Sequence, residues 1–76
     1  MKEVEIGKTY RHFKGMLIEV LHIAMDSEDP THKLIVYKHL EKPEEIWVRD
    51  YDMFLSPVDK EKYPDIKQEY RFELVD

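Results

Sequence analysis

Residues 16–24 read MLIEVLHIA, and this segment decides the fold class. Its β-branched residues Ile18, Val20 and Ile23, with polar residues between them, favour a strand with one mostly buried face. A helix is the competing interpretation for nine residues of this kind. We reject it because a glycine precedes the run and the turn-forming sequence DSEDP follows within two residues.

The neighbouring segment downstream completes a hairpin with this strand. Residues 26–32, DSEDPTH, are dense in turn-forming residues, and Pro30 disfavours helical geometry in the residue before it. Residues 33–40 contain the apolar run LIVY, which predicts a second strand. Two strands joined by a seven-residue polar loop form a hairpin.

Two further segments alternate between apolar and polar residues. Residues 46–49, IWVR, predict a short strand with Trp47 and Arg49 on one face. Asp50 follows and can cap a single helical or 3₁₀ turn. Residues 70–75, YRFELV, predict the closing strand.

These elements, with a first strand around YRHFKG, predict an all-β fold. We expect a small five-stranded barrel with one short helical or 3₁₀ turn before the last strand, formed by residues 1–76 as a single domain. Closing the sheet removes exposed edges, which a β protein of this size must manage. An open antiparallel sheet is the alternative.

Composition narrows the classes of function. The chain has 76 residues, no cysteine and a net charge of -5. Disulfides and thiolate metal sites are thereby excluded, and the acidic balance argues against broad capture of nucleic acid. The amino-terminal MKEVEIGKTY lacks the apolar core of a signal peptide, and no segment is apolar enough to span a membrane. These features predict a cytoplasmic protein that makes no contact with membranes.

Six short segments, in this order and at short separations, resemble a family of small bacterial domains of unknown function. The family pattern runs YRHFKG, VLxIAxHSE, VVY, LWVRP and MF, and the matching segments here are YRHFKG, VLHIA, Ser27-Glu28, IVY, WVR and MF. The resemblance covers residues 7 to 55 and implies an SH3-like barrel with no established activity. The chain departs from the pattern at Asp26, Asp29 and Asp50, where the family has His, Thr and Pro.

A cluster of basic and aromatic residues marks the predicted ligand-binding site. Arg11 and His12, in YRHFKG, are candidate donors to a phosphate or carboxylate. Trp47 and Arg49 share a strand face, and Tyr37 lies on the strand expected to pair with theirs. The alternative is structural: solvent-exposed charges on a strand, and a tryptophan that fills the barrel.

No arrangement for catalysis can be identified. His12, His22, His39, Asp26 and Ser27 supply suitable side chains, but their spacing matches no catalytic or metal-binding motif. We therefore predict no catalytic residue, metal or cofactor. The expected function is a non-catalytic binding module for a protein, a peptide or a small anionic ligand. A local nucleic-acid-binding barrel, or a small enzyme or enzyme subunit, remains the alternative.

Overall fold

The computed structural model describes residues 3–75. Five strands and one short helix form there, in the order β1 (Thr9–His12), β2 (Leu17–Asp26), β3 (Asp29–His39), β4 (Lys42–Asp50), α1 (Tyr51–Phe54) and β5 (Phe72–Val75). All paired strands are antiparallel, and their order across the sheet is β4-β3-β2-β1-β5. The predicted β fold of five strands, with a helical turn before the last one, is confirmed. None of the described helices is long and apolar enough to cross a membrane.

The sheet is open, so the predicted closure into a barrel is not confirmed. Within residues 3–75, no ladder joins the edge strands β4 and β5. A bulge between Val20 and His22 bends β2, as bulges commonly do. The edges nevertheless approach each other, because the Arg49 guanidinium on β4 lies 5.5 Å from the ring centre of Phe72 on β5. The sheet is therefore curved but unclosed.

The β2–β3 hairpin is tighter than predicted. Only residues 27–28 separate the two strands, and Asp26 pairs with Asp29. The Asp26 carboxylate accepts a hydrogen bond from the Glu28 backbone N–H (2.8 Å), which makes the turn local. The register of the β2–β3 pairing shifts next to the Asp26–Asp29 pair. Most of the predicted seven-residue loop is therefore strand.

The core lies on the concave face of the curved sheet. Phe54 of α1 and Phe72 of β5 stack with ring centres 4.2 Å apart, and Tyr10 meets Phe54 edge-to-face at 5.3 Å. Ile18 and Ile35 are fully buried beside them. The Tyr10 hydroxyl accepts a hydrogen bond from a backbone N–H, so its polar atom is satisfied inside the core. Residues opposite one another on paired strands lie on the same face of the sheet. At its margin, the face that carries the core also carries charged side chains.

A long irregular connection, residues 56–71, leads from α1 to β5. Its two ends are tied together, since the Val58 N–H donates to the Glu69 carbonyl at 2.8 Å. The Lys60 ammonium donates to the carbonyl of Gln68 at 2.9 Å and so closes the middle of the segment. These hydrogen bonds fix the conformation of residues 56–71, which lie beyond the part of the chain that the family resemblance covers.

Candidate functional site

An open pocket of about 300 Å³ lies where the end of β1, strand β4 and the 56–71 connection meet. Its lining differs from the rest of this acidic chain, since four of its residues are lysine or arginine. We term it the basic pocket, and its lining residues are His12, Phe13, Lys14, Arg49, Asp59, Lys62, Tyr63 and Arg71.

The charges of the basic pocket are not neutralised from within. None of the ion pairs found among residues 3–75 involves Lys14, Arg49, Lys62 or Arg71. The Asp59 carboxylate accepts hydrogen bonds from two backbone N–H groups of the turn that follows it (3.0 and 3.3 Å). This carboxylate stabilises a turn, so four cations face a single carboxylate that is already engaged.

The two arginines occupy different environments. Arg49 lies opposite Ile35 in the β3–β4 register, and its guanidinium is held over the Phe72 ring. The Nε atom of Arg71 is buried and has no hydrogen-bond partner within residues 3–75. A buried donor without a partner costs roughly 1–3 kcal/mol.

His12 is neutral at physiological pH. Burial, followed by the nearby cation of Arg49 and then that of Lys14, lowers its pKa from 6.5 to about 4. The Lys14 backbone N–H donates to Nδ1 at 3.1 Å, which leaves the ring proton on Nε2. The ring stacks on Phe13 at 4.5 Å and meets Phe72 edge-on at 5.0 Å, so its position is fixed. His12 thus offers the pocket an uncharged N–H donor.

An aromatic wall stands beside the cations. Phe13 and Tyr63 meet edge-to-face, with ring centres 5.0 Å apart. The Lys14 ammonium lies 5.9 Å from the first ring centre and 5.5 Å from the second, and Lys62 lies 5.6 Å from Tyr63. The pocket therefore combines positive charge with apolar ring surface.

The structure gathers two of the five residues predicted to form the site. His12 and Arg49 both line the basic pocket. Arg11 lies in β1 next to His12, so its side chain is on the opposite face of the sheet. Tyr37 is buried in the core at 6% exposure. Trp47 pairs with it in the β3–β4 register and is half-exposed, outside the pocket lining.

Three cations of the pocket were missed by the sequence reasoning. Lys14 belongs to the YRHFKG segment, in which the sequence predicts only Arg11 and His12 as donors. Arg71 was placed inside the closing strand, whereas β5 begins one residue later. Lys62 comes from the 56–71 connection, which no local pattern could direct to β1. Only the concentration of basic residues in YRHFKG pointed toward this part of the molecule.

A second charged cluster lies on the other side of β4. Asp26 and Asp50 flank the imidazole of His32, with oxygens 3.1 Å from Nδ1 and 2.6 Å from Nε2. These hydrogen bonds, the Asp26 one first, raise the pKa of His32 above 6.5. An imidazolium that donates from both nitrogens has no lone pair left for a metal. We term these three residues the Asp–His–Asp clamp.

The clamp uses two of the positions at which the chain departs from the family pattern. Asp50 also caps α1, because its carboxylate accepts from the Met53 N–H at 3.0 Å. That bond, followed by the bond to His32, lowers the pKa of Asp50. Asp26 closes the β2–β3 turn in a comparable way. Every charge of the clamp is therefore paired within the fold.

Comparison of the sequence with known protein families identifies a group of homologous domains. A family model described as "Protein of unknown function (DUF1653)" matches residues 8–74. No curated protein and no solved structure gives a significant match. The match is longer than the 7–55 resemblance, and it includes the connection that supplies Lys62 and Tyr63 to the basic pocket. With nearly its whole length covered, this chain belongs to the DUF1653 family of proteins of unknown function.

Proposed function

We propose that this protein is a non-catalytic binding module that holds a small anionic ligand, or the anionic group of a peptide, in the basic pocket. The observation that carries the proposal is that the four cations lining this pocket have no ion-pair partner among the described residues 3–75. Positive charges that could be neutralised by the chain's many carboxylates are instead kept together and open to solvent.

The balance of charge supports an anion as the ligand. Four cations against one engaged carboxylate leave a local surplus of three positive charges in a chain whose net charge is -5. Like charges held close together repel, and this repulsion is relieved when an anion enters. Guanidinium groups present planar sets of N–H donors that suit carboxylate and phosphate oxygens.

The hydrogen bonding of His12 supports binding rather than catalysis. A general base needs a free nitrogen and a partner that orients the ring. Here Nδ1 accepts from a backbone N–H, and the Asp59 carboxylate bonds to its own turn. We further propose that the module works in the cytoplasm, which the cysteine-free composition supports.

Isothermal titration calorimetry with a panel of simple anions tests the proposal. We expect sulfate or citrate to bind at low ionic strength and to weaken as sodium chloride is added. Arg71→Gln should lower the affinity about tenfold or more, the effect of losing a charge-assisted hydrogen bond. Lys33→Gln is the matched control, because Lys33 is exposed and lies outside the basic pocket.

A second readout follows the protonation of His12. A bound anion offsets the cations that lower its pKa, so the NMR titration of His12 should move above about 4 when the pocket is filled. Absence of binding by every anion of the panel, or equal binding by wild type and Arg71→Gln, would overturn the proposed function.

A further inference from the structure

We infer that the natural ligand of the basic pocket is a phosphate monoester whose organic part is aromatic. The inference rests on the proposed function and specifies its ligand. Three features of the pocket carry it: the number of cations and their origin on separate elements, the neutral N–H donor of His12, and the aromatic wall formed by Phe13 and Tyr63.

The number of cations matches a dianion better than a monoanion. A phosphate monoester carries about -1.5 to -2 charges at pH 7, whereas a carboxylate carries one. The local surplus of three positive charges would stay largely uncompensated beside a carboxylate. A phosphate therefore relieves more of the repulsion among these side chains.

The cations of the pocket come from separate elements of the fold. Arg49 approaches from β4, Arg71 from the residue before β5, and Lys14 from the turn after β1. A monoester phosphate is tetrahedral and has three terminal acceptor oxygens, whereas a carboxylate is planar and has two. Cations on separate elements therefore suit a group with three acceptor oxygens better than a group with two.

His12 adds a donor without adding charge. Its Nδ1 is occupied by the Lys14 N–H, so Nε2 carries the proton. Arg71 also lines the pocket, and a guanidinium has N–H donors and no acceptor. Both groups donate only, which selects a ligand rich in acceptors, as a fully ionised phosphate is.

The aromatic wall accounts for the organic part of the ligand. Phe13 and Tyr63 are half-buried, and the Lys14 ammonium lies within 6 Å of both ring centres. A group esterified to a phosphate held by Lys14 would extend across these rings. Aromatic rings pack well in offset or edge-on arrangements. The volume of about 300 Å³ is at the small end for ligand sites, so it suits a phosphate with a single ring system.

Four probes in isothermal titration calorimetry separate the parts of this inference. Phenyl phosphate has both features, methyl phosphate lacks the ring, benzoate lacks the dianion, and inorganic phosphate lacks the ester. We expect phenyl phosphate to bind most tightly and benzoate most weakly. Tyr63→Leu should lower the affinity for phenyl phosphate about threefold to tenfold and leave that for methyl phosphate unchanged. Phe13→Leu provides a second variant with the same expected result if Tyr63→Leu does not fold.

The results of these titrations distinguish failure of the aromatic-phosphate inference from failure of the anion-binding function. If benzoate binds as tightly as phenyl phosphate, or if methyl phosphate does, the inference is overturned while the anion-binding function stands. If sulfate, citrate and all four probes fail to bind, the proposed function fails as well. Adenosine 5′-monophosphate and free O-phosphotyrosine then distinguish the sources of an aromatic phosphate, since tighter binding of one identifies a nucleotide or a modified side chain as the ligand.

Discussion

Arg49 and Asp50 are consecutive residues of β4, yet they belong to two charged clusters built on opposite principles. Arg49 faces the core side and joins the basic pocket, where the cations have no ion-pair partners within residues 3–75. Asp50 faces the other side and joins the Asp–His–Asp clamp, where each charge has a partner. One strand thus separates a cluster whose charges are paired from a cluster whose cations have no ion-pair partner among the described residues.

The pKa values of the two histidines shift in opposite directions, in line with this difference between the clusters. In the clamp, hydrogen bonds to two carboxylates raise the pKa of His32 and favour its charged form. In the basic pocket, burial and neighbouring cations lower the pKa of His12 to about 4 and favour its neutral form. Paired charges of the first kind stabilise a fold, whereas unpaired like charges of the second kind destabilise it. A fold keeps the second kind where binding requires it.

The largest expected effect comes from the residue that supports both clusters. Phe54 is the last residue of the helix that Asp50 caps, and it stacks on Phe72, a ring that also contacts His12 and the Arg49 guanidinium. We expect Phe54→Ala to lower the free energy of unfolding by about 3–5 kcal/mol, because it removes a fully buried ring. Urea denaturation followed by Trp47 fluorescence measures this loss.

The neighbouring methionine supplies the control for that measurement. Met53 lies in the same helix but is 48% exposed, so Met53→Ala should have a much smaller effect. A loss below about 1 kcal/mol for Phe54→Ala would mean that the stacked pair does not hold the core together.

The next prediction contrasts the removal of one charge from each cluster. Asp50→Asn keeps a good helix cap but removes a carboxylate from His32, so the Tm should fall. Arg71→Gln removes one of several mutually repelling cations, so the Tm should stay the same or rise. Differential scanning calorimetry in low salt measures both variants. A Tm that falls more for Arg71→Gln than for Asp50→Asn would reverse our assignment of the two clusters.

The two histidines should affect the pH dependence of stability with opposite signs. The pKa of His32 is raised in the folded state, so its contribution is fully present below pH 6.5 and is lost as the pH rises through the folded pKa. The pKa of His12 is lowered, so its contribution is present above pH 6.5 and is lost as the pH falls toward about 4.

Two variants separate these contributions. The difference in Tm between wild type and His32→Asn should be larger at about pH 5.5 than at about pH 8.5. The difference between wild type and His12→Asn should change in the reverse direction over the same range. Thermal melts in buffers of matched ionic strength measure both, and differences that move in the same direction would contradict the contrast.

The local elements could be predicted from the sequence, but the two clusters could not. Alternation identified the strands, and it placed Trp47 and Arg49 on one face, as the β3–β4 register requires. The short β2–β3 turn was missed because an Asp side chain and a register shift close it, and neither produces a hydrophobic pattern. The sequence favours a barrel and leaves the open sheet as the alternative, because edge pairing depends on curvature rather than on composition.

The composition of the basic pocket depends on tertiary structure. Lys62 comes near the end of β1 because hydrogen bonds fold the 56–71 connection back on itself, and Arg71 because β5 pairs with β1 and the Phe13 N–H donates to the Arg71 carbonyl. Neither residue lies in a motif, and the resemblance ended before them. His32 likewise meets its two carboxylates through strand pairing. Sequence reasoning identified His12 and Arg49, two of the eight lining residues, and four of the others come from the long connection.

The smallest expected effect tests whether the position of an arginine, and not only its charge, determines the affinity for the ligand. Arg11 lies next to His12 in the sequence, but it is exposed on the opposite face of the sheet and does not line the basic pocket. Arg11→Gln should therefore leave the affinity for phenyl phosphate within about twofold at moderate salt, where charges beyond a Debye length are screened. Arg49→Gln, which removes the same charge from the pocket side, should lower that affinity about tenfold or more. Titration calorimetry of the two variants compares them directly. Equal losses would mean that the ligand senses the overall charge of the domain, because only contact inside the pocket can make one arginine matter and the other not.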